Sequence, residues 1–225
     1  SLRKSERLTT LGTLAAEIAH EIRNPLMVVS LLFDSLKLDE NSDDNQKKDL
    51  SIIREKLDHL DQIAGRILDF GKSREAFRKN LPLREILEEA ALLVRLKLEQ
   101  SQVALTINKG LPGLIVFVDK GQIQQALLNL ILNALVAMPD GGELAIEVME
   151  PTDRKVSVLV KDTGQGIPDA FKDRIFDSFL TARSDGTGLG LTISKRILRA
   201  HDGDLELLDS GPNGTVFRIS LPIAQ

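Results

Sequence analysis

The sequence predicts a helical hairpin followed by an α+β domain. Apolar residues recur every three or four positions through about the first 70 residues, as on the core-facing side of paired helices. From about residue 79 onward, alternating strand patterns and helical patterns intermingle, which is typical of helices packed on one mixed sheet. We therefore expect two domains, residues 1–78 and residues 79–225.

The apolar positions of the hairpin form two stripes separated by a polar stretch, residues 39–46. The first stripe runs from Leu8 to Leu36 and the second from Leu50 to Gly71. One hairpin cannot cover both stripes, whereas two hairpins bury them in a four-helix bundle. We therefore predict a homodimer.

The second domain divides into segments with clear helix or strand patterns. Asp119 is placed to cap the longest helix, because its carboxylate can accept a hydrogen bond from the first turn. Helices are predicted at residues 83–99, 120–137 and 187–200. Strands are predicted at residues 103–108, 114–118, 143–149, 155–161, 205–208 and 215–221, with a turn at 151–153.

The composition excludes several functions. The chain has no cysteine, so disulfides and thiolate metal sites are impossible. A net charge of −4 gives no reason to expect nucleic-acid binding. No apolar run approaches the roughly 18 residues of a membrane span. Because a helical pattern is already under way at Ser1, we expect a fragment whose upstream part holds a sensor domain.

His20 lies on the most solvent-facing heptad position of the first predicted helix, so it is not a core histidine. On spacing alone, an idle surface histidine is the commoner interpretation. Its neighbours favour a reactive group: Glu21 is adjacent, Asn24 is one turn away, and Pro25 interrupts the helix at a cost of about 3 kcal/mol. A neutral imidazole is a good nucleophile, and a carboxylate can take its second proton.

Two asparagines and an aspartate suggest a ligand site in the second half. Asn129 and Asn133 share one helix face, and amide oxygens suit Mg²⁺, although a plain polar face gives the same spacing. Asp162 follows a predicted strand, and its carboxylate can accept a hydrogen bond from an exocyclic amine such as that of adenine. Gly164 and Gly166 let a planar base approach the backbone; a simple turn is the alternative.

A glycine-rich segment opens the last predicted helix. Residues 186–191 read GTGLGL, and backbone N–H groups at a helix N-terminus bind phosphate. Upstream, Phe176 and Phe179 begin a polar stretch that leads into these glycines. We expect a mobile lid hinged on the two aromatic residues; each phenylalanine alone is equally compatible with a core position.

Taken together, the motifs resemble those of the sensor histidine kinases of two-component signalling. Five motifs occur in the order of that family: HEIRNP at 20–25, NLILNA at 129–134, DTGQGIP at 162–168, FDSF at 176–179 and GTGLGL at 186–191. The resemblance implies a dimerisation and phosphotransfer hairpin, then a Bergerat-type (GHKL) two-layer α/β sandwich that binds ATP.

The resemblance also implies roles for individual residues. His20 corresponds to the phosphoacceptor, Glu21 to its assisting base and Asn24 to the residue that aligns water when the kinase acts as a phosphatase. Asn133 would hold Mg²⁺ with support from Asn129, while Asp162 would read adenine in a pocket shaped by Gly164 and Gly166. The nucleotide-binding segment and lid would include Phe176, Phe179, Arg183, Gly186, Thr187, Gly188, Leu189 and Gly190.

The same resemblance implies partners and a location. The short lid between Phe179 and Gly186 is most similar to the nitrogen-regulation branch, where a lysine often replaces Arg183. A response regulator receiver domain would take the phosphoryl group, and the fragment would be cytoplasmic without membrane contact of its own.

Two other functions are compatible with parts of the sequence. Chaperone, topoisomerase and mismatch-repair ATPases resemble the nucleotide half but typically carry a glutamate where this chain has Asn129. An amide cannot take a proton from water, which favours transfer to a protein nucleophile. A non-catalytic dimerising module is the second alternative, and it leaves Asn133, Asp162 and the glycines unexplained.

Overall fold

The computed structural model describes residues 26–27, 29, 52–54, 57, 76–108, 110, 112–178, 180 and 188–224. The chain divides into two compact units, Ser1–Arg74 and Glu75–Gln225. In the first unit the described positions are helical, as the hairpin prediction requires. The predicted functional residues His20, Glu21 and Asn24 lie outside the described residues.

The second unit contains seven strands and four helices among its described residues. In chain order they are β1 (Lys79–Pro82), α1 (Leu83–Gln100), β2 (Val103–Asn108), β3 (Ile115–Val118), α2 (Lys120–Ala137), β4 (Gly142–Val148), β5 (Lys155–Asp162), α3 (Asp169–Lys172), α4 (Gly190–Ala200), β6 (Asp204–Gly211) and β7 (Gly214–Pro222).

A mixed five-stranded sheet forms one layer of this unit, in the order β2-β4-β5-β7-β6. Strand β2 pairs in parallel with β4, with Leu105 opposite Leu144, and the remaining pairs are antiparallel. Alternate residues of β5 and β7 are buried, so one face of the sheet is apolar. Strands β1 and β3 form a separate antiparallel pair.

The helices cover the apolar face because each has an apolar stripe of its own. The buried residues of α1 recur at three- and four-residue spacing: Leu83, Ile86, Leu87, Ala90, Val94 and Leu98. Helix α2 begins where the Asp119 carboxylate accepts a hydrogen bond from the Gln122 N–H at 3.2 Å, as predicted for an N-cap. Helices α2 and α4 pack against each other and carry the motifs of the nucleotide half.

The strands and helices predicted from residue 83 onward are confirmed, with shifts of a few residues at their ends, whereas the two hairpin helices lie mostly outside the described residues. Strand β2 has the predicted bounds, whereas β6 extends to Gly211 through an irregularity between Leu207 and Asp209. The predicted helix at 187–200 begins at Gly190 among the described residues. Strand β1 was not predicted, because a four-residue segment that ends in Pro82 shows no usable alternation. Across the described residues, no helix is long and apolar enough to cross a membrane.

Candidate functional site

Asp162 stands at the end of β5 with one carboxylate oxygen committed to the protein. Its Oδ1 accepts hydrogen bonds from the N–H groups of Gly164 at 2.9 Å and Thr215 at 3.2 Å. Oδ2 has no hydrogen-bond partner within the part of the chain that the structure describes. Burial raises the pKa of Asp162, and the two backbone hydrogen bonds offset part of that effect. The arrangement leaves one oxygen available to a ligand donor.

The two predicted glycines of this loop are required by close backbone contacts. A Cβ at Gly164 would lie 2.6 Å from the carbonyl oxygen of Ala137, at the end of α2. Gly166 has φ +74°, and a Cβ there would collide with the Gly211 carbonyl oxygen. These contacts hold the Asp162 loop between α2 and the β6–β7 hairpin. Both glycines are therefore needed for packing within the protein, which disfavours a simple surface turn, while the approach of a planar base to them stays a prediction.

Two buried hydroxyl residues support the loop, and sequence reasoning missed both. Ser210 accepts a hydrogen bond from the Ile167 N–H at 2.8 Å, and its hydroxyl lies 3.1 Å from that of Thr215. Both side chains are buried. The Thr215 N–H in turn binds Asp162, so the hairpin fixes the orientation of the carboxylate. Buried polar residues in an alternating strand are the signal that could have found them.

Asn129 and Asn133 lie on the same face of α2, as predicted. The Asn129 amide nitrogen donates to the Gly190 carbonyl at 3.3 Å and to the Ser194 hydroxyl at 3.2 Å. Both of its N–H groups are thereby used, so its oxygen is left as an acceptor. Asn133 is half-buried and makes no hydrogen bond to any residue that the structure describes. Two amide groups are therefore available on one helix face.

The glycine segment meets this face at the start of α4. Gly188 has φ +65°, Leu189 is fully buried, and Gly190 is the first residue of the helix. A Cβ at Gly190 would lie 3.9 Å from the Asn129 Cγ, so the two residues are direct neighbours. No side chain of the described residues caps α4, so N–H groups of its first turn are available to an anion.

Phe176 is attached to α4 rather than standing alone. The Lys195 ammonium lies 4.0 Å from the centre of the Phe176 ring, and the Thr192 hydroxyl donates to the Phe176 carbonyl at 3.0 Å. The predicted hinge residue therefore lies beside the helix that begins at the glycines. The remaining predicted lid residues lie outside the described residues: Phe179, Arg183, Gly186 and Thr187.

The chemistry of the donors at this site is that of amides, one carboxylate and backbone N–H groups. Among the residues that the structure describes, no three His, Cys, Asp or Glu side chains come together to hold a metal ion. Mg²⁺ nevertheless fits the two asparagines, since it accepts amide oxygens and keeps water or phosphate in the rest of its shell. These donors are of the kinds that bind an exocyclic amine, a phosphate chain and a hard cation.

Comparison with known proteins assigns the class of each half. Residues 118–225 match the family of histidine kinase-, DNA gyrase B- and HSP90-like ATPases. Residues 10–76 match the His Kinase A (phospho-acceptor) domain. The chain belongs to the sensor histidine kinases of two-component systems, which confirms the resemblance inferred from the five motifs.

Individual relatives agree with this assignment. The signal transduction histidine-protein kinase AtoS of Escherichia coli is 31% identical over 98% of this chain and 36% of its own length. The solved structure of full-length ShkA in complex with AMPPNP is 25% identical, with a TM-score of 0.79 over 94% of this chain and 46% of that one. Histidine kinase ThkA in complex with response regulator TrrA is 30% identical, with a TM-score of 0.71 over 98% and 64%. The chain covers about a third to a half of the length of the curated relatives. It covers 36% of AtoS and 51% of sporulation kinase C of Bacillus subtilis.

Proposed function

We propose that this chain is a kinase core that uses ATP and Mg²⁺ to phosphorylate His20 and then passes the phosphoryl group to an aspartate of a response regulator. The observation that carries the proposal is the contact between Asn129 and Gly190. It joins the helix that offers amide ligands to the helix start that offers N–H groups. A triphosphate needs the metal ligands and the N–H groups on the same side of its phosphate chain.

The base of the nucleotide is assigned to Asp162. Its Oδ1 is occupied by two backbone N–H groups, so Oδ2 is the atom available to the adenine amine. Gly164 and Gly166 keep side chains away from the loop that carries it. A guanine base presents a carbonyl oxygen at the equivalent position, which a carboxylate repels. The arrangement therefore favours ATP over GTP.

The metal is assigned to Asn133, with Asn129 in a supporting role. Asn133 makes no hydrogen bond to the described part of the chain, so its amide oxygen is open to a ligand. The two hydrogen bonds that the Asn129 amide nitrogen donates fix the orientation of the side chain and leave its oxygen as an acceptor. Bound Mg²⁺ neutralises charge on the phosphates. The protein residues hold and orient the nucleotide.

Transfer to a protein group is favoured over hydrolysis by the state of Asn129. Asn129, whose N–H groups donate to Gly190 and Ser194, is an amide, and an amide does not accept a proton near neutral pH, so it cannot act as a base for water. The glutamate of the related ATPases is absent from this position. The absence of such a base favours a nucleophile supplied by a protein side chain as the acceptor.

The acceptor is assigned to His20 by elimination and by motif. The chain has three histidines. His201 is buried, its Nδ1 donates to the Ile197 carbonyl at 2.8 Å, and its Nε2 accepts the Asp119 N–H at 3.0 Å, so neither ring nitrogen is free to attack. His20 and His59 remain, and His20 alone lies in the HEIRNP motif. Glu21 would accept its proton, and Asn24 would orient water for phosphatase activity toward the regulator.

The partners follow from the same assignment. The His Kinase A domain supports a homodimer with a four-helix bundle, and the ThkA relative was solved with its response regulator. We propose a receiver domain as the partner of this chain, and a sensor domain upstream in the parent protein. The cytoplasm, where ATP and receiver domains occur, is the proposed location. Nucleic acid has no proposed role.

The proposal is tested by incubating the full chain with terminally labelled ATP and then with acid. Phosphohistidine loses its label in acid, whereas phosphoserine keeps it. A non-hydrolysable ATP analogue, measured in parallel, separates nucleotide binding from a non-catalytic dimerising module. Acid-stable label, or no binding of the analogue, would contradict the assignment.

A further inference from the structure

Away from the nucleotide site, one face of α1 borders an apolar groove. The groove has a volume of about 360 Å³ and lies between α1 and β2. Its lining includes Ala91 and Leu92 from α1 and Leu105 from β2. Leu92 is 67% exposed and borders the groove.

The charges along this face have a two-fold pattern. Glu88, Arg95 and Glu99 line the groove, and Arg84 lies on the same side of α1 by helical periodicity, so the order along the helix is plus, minus, plus, minus. Arg84 and Glu99 are equally far from the point midway between Ala91 and Leu92, and so are Glu88 and Arg95. At 3.6 residues per turn, all four project within about 30° of the direction of that midpoint. The four side chains are 42–67% exposed.

Such a pattern is complementary to itself in one orientation only. When a second α1 lies antiparallel across the midpoint, each Glu88 faces the other copy's Arg95 and each Arg84 faces the other copy's Glu99. A parallel copy in register would instead place like charges together. Within one chain the same residues form i,i+4 pairs, with Arg84 to Glu88 at 3.1 Å and Arg95 to Glu99 at 3.9 Å. An antiparallel copy would extend these pairs into charge networks of four.

The adjacent sheet edge has the properties of an interface as well. Within the described residues, β2 pairs with β4 alone and is the outermost strand. It carries no charged residue, in the sequence VALTIN, and no bulge. The opposite edge strand, β6, carries Asp204, Glu206 and Asp209 and is irregular. Charges and irregularities protect edges from pairing, so only the β6 edge is protected.

The middle of the α1 face and the middle of β2 lie at similar distances from the turn that joins the two elements. From the midpoint of the α1 face to Gln100 is about 13 Å at 1.5 Å per residue. The same distance back along β2 from Val103 is about four residues at 3.3 Å each, which ends near Ile107, within two residues of the middle of the strand. One two-fold axis can therefore relate both α1 to α1 and β2 to β2. An antiparallel β2 pair would join the two five-stranded sheets edge to edge.

We propose that this face, formed by Arg84, Glu88, Ala91, Leu92, Arg95 and Glu99 with the β2 edge, binds the same face of a second copy of this chain. The contact is isologous and separate from the nucleotide site. It goes beyond the proposed kinase function and does not depend on it. The charge pattern is symmetric about the midpoint of this face, so a second copy complements it automatically, whereas a partner of different sequence would do so only by coincidence.

The absence of cysteine allows a direct cross-linking test. Leu92→Cys places the only thiol of the full chain near the proposed axis, and Leu93→Cys places it on the neighbouring face. The two positions form a matched pair, with Leu92 67% and Leu93 66% exposed, so neither replacement disturbs the core. A short thiol-specific cross-linker should join Leu92→Cys chains at least about tenfold faster than Leu93→Cys chains. Equal rates, or no product from Leu92→Cys, would overturn the proposal.

A charge exchange identifies the occupant. In the Leu92→Cys chain, Glu88→Arg sets arginine against arginine across the axis and should slow cross-linking about tenfold. Adding Arg95→Glu restores opposite charges in both symmetry-related pairs and should restore the rate. Recovery in the double exchange requires that both partners carry both changes, which only two copies of this chain do. Failure to recover would show that a different molecule, or solvent, covers this face.

Discussion

The role of Asp162 can be tested by a substitution that keeps the shape of the side chain and replaces one acceptor oxygen with a donor nitrogen. In Asp162→Asn, the amide oxygen can replace Oδ1 and keep the hydrogen bonds from Gly164 and Thr215. The amide nitrogen then occupies the position of Oδ2. A donor would face the adenine amine, which is also a donor. The loop stays in place while its base-reading atom is lost.

The expected loss of affinity follows from that single hydrogen bond. A hydrogen bond to a charged group contributes about 1.5–3 kcal/mol, so ATP binding should weaken roughly tenfold to a hundredfold. GTP binding should change less, because guanine presents an oxygen that the new amide can satisfy. The ATP preference should therefore fall or reverse. The assay is equilibrium binding of non-hydrolysable analogues of both nucleotides to the full chain.

Asp169→Asn serves as the matched control. Asp169 begins the short helix α3, is exposed, and forms a surface ion pair with Lys172 at 2.6 Å. The same chemical change is made on an exposed side chain that takes no part in the hydrogen bonds of Asp162, so binding of both nucleotides should be unchanged. If Asp162→Asn bound ATP and GTP as the unmodified protein does, Asp162 would not read the base.

The unfolding temperature distinguishes a variant that has lost nucleotide binding from one whose fold is damaged. Burial raises the pKa of Asp162 above its ordinary value of 3.8, so the folded state holds this proton more tightly than the unfolded state. The ionised carboxylate therefore costs stability, and the cost develops as pH rises from 3.8 through the raised pKa. Asparagine has no such cost, so Asp162→Asn should unfold at neutral pH at the same temperature as the unmodified protein or higher. A lower unfolding temperature would mean that the loop hydrogen bonds were broken, contrary to the geometry above.

Two further predictions concern the metal and the histidine helix. Asn133→Ala removes an amide oxygen that has no other partner in the described chain, so Mg²⁺-dependent autophosphorylation should be lost while the unfolding temperature is unchanged. Asn133→Asp keeps an oxygen at this position and should retain Mg²⁺ binding. Full activity of the alanine variant would refute the metal role. Glu21→Ala should slow autophosphorylation about 10²–10⁴-fold if it is the general base, whereas Asn24→Ala should keep autophosphorylation and lose dephosphorylation of the regulator. Rates of both reactions with the cognate response regulator measure this separation, and equal losses in both variants would contradict it.

Much of the nucleotide half could be predicted because its signals are local. The cap of α2 at Asp119 and the shared face of Asn129 and Asn133 each depend on residues within a few positions of one another. Local spacing determines local geometry in such segments. The structure brings these predicted residues of α2 and α4 together, with Asn129 beside Gly190.

The features that were missed depend on pairing between distant segments. The contribution of Thr215 and Ser210 requires the β5–β7 and β6–β7 registers, which the sequence of either strand does not specify. Strand β1 exists because it pairs with β3, some 35 residues later. Likewise, the charge order on α1 is visible in the sequence. Its meaning appears only once the buried stripe is known to lie on another face.

The central claim, that His20 accepts phosphate from ATP, is tested most directly by labelling three versions of the full chain. Terminally labelled ATP is supplied to the unmodified protein, to His20→Gln and to the control His59→Gln, and analogue binding is measured for each. If His20 is the acceptor, the unmodified chain and His59→Gln should carry acid-labile label and His20→Gln should carry none. Analogue binding should be equal in all three. Label retained by His20→Gln, or lost from His59→Gln alone, would contradict it.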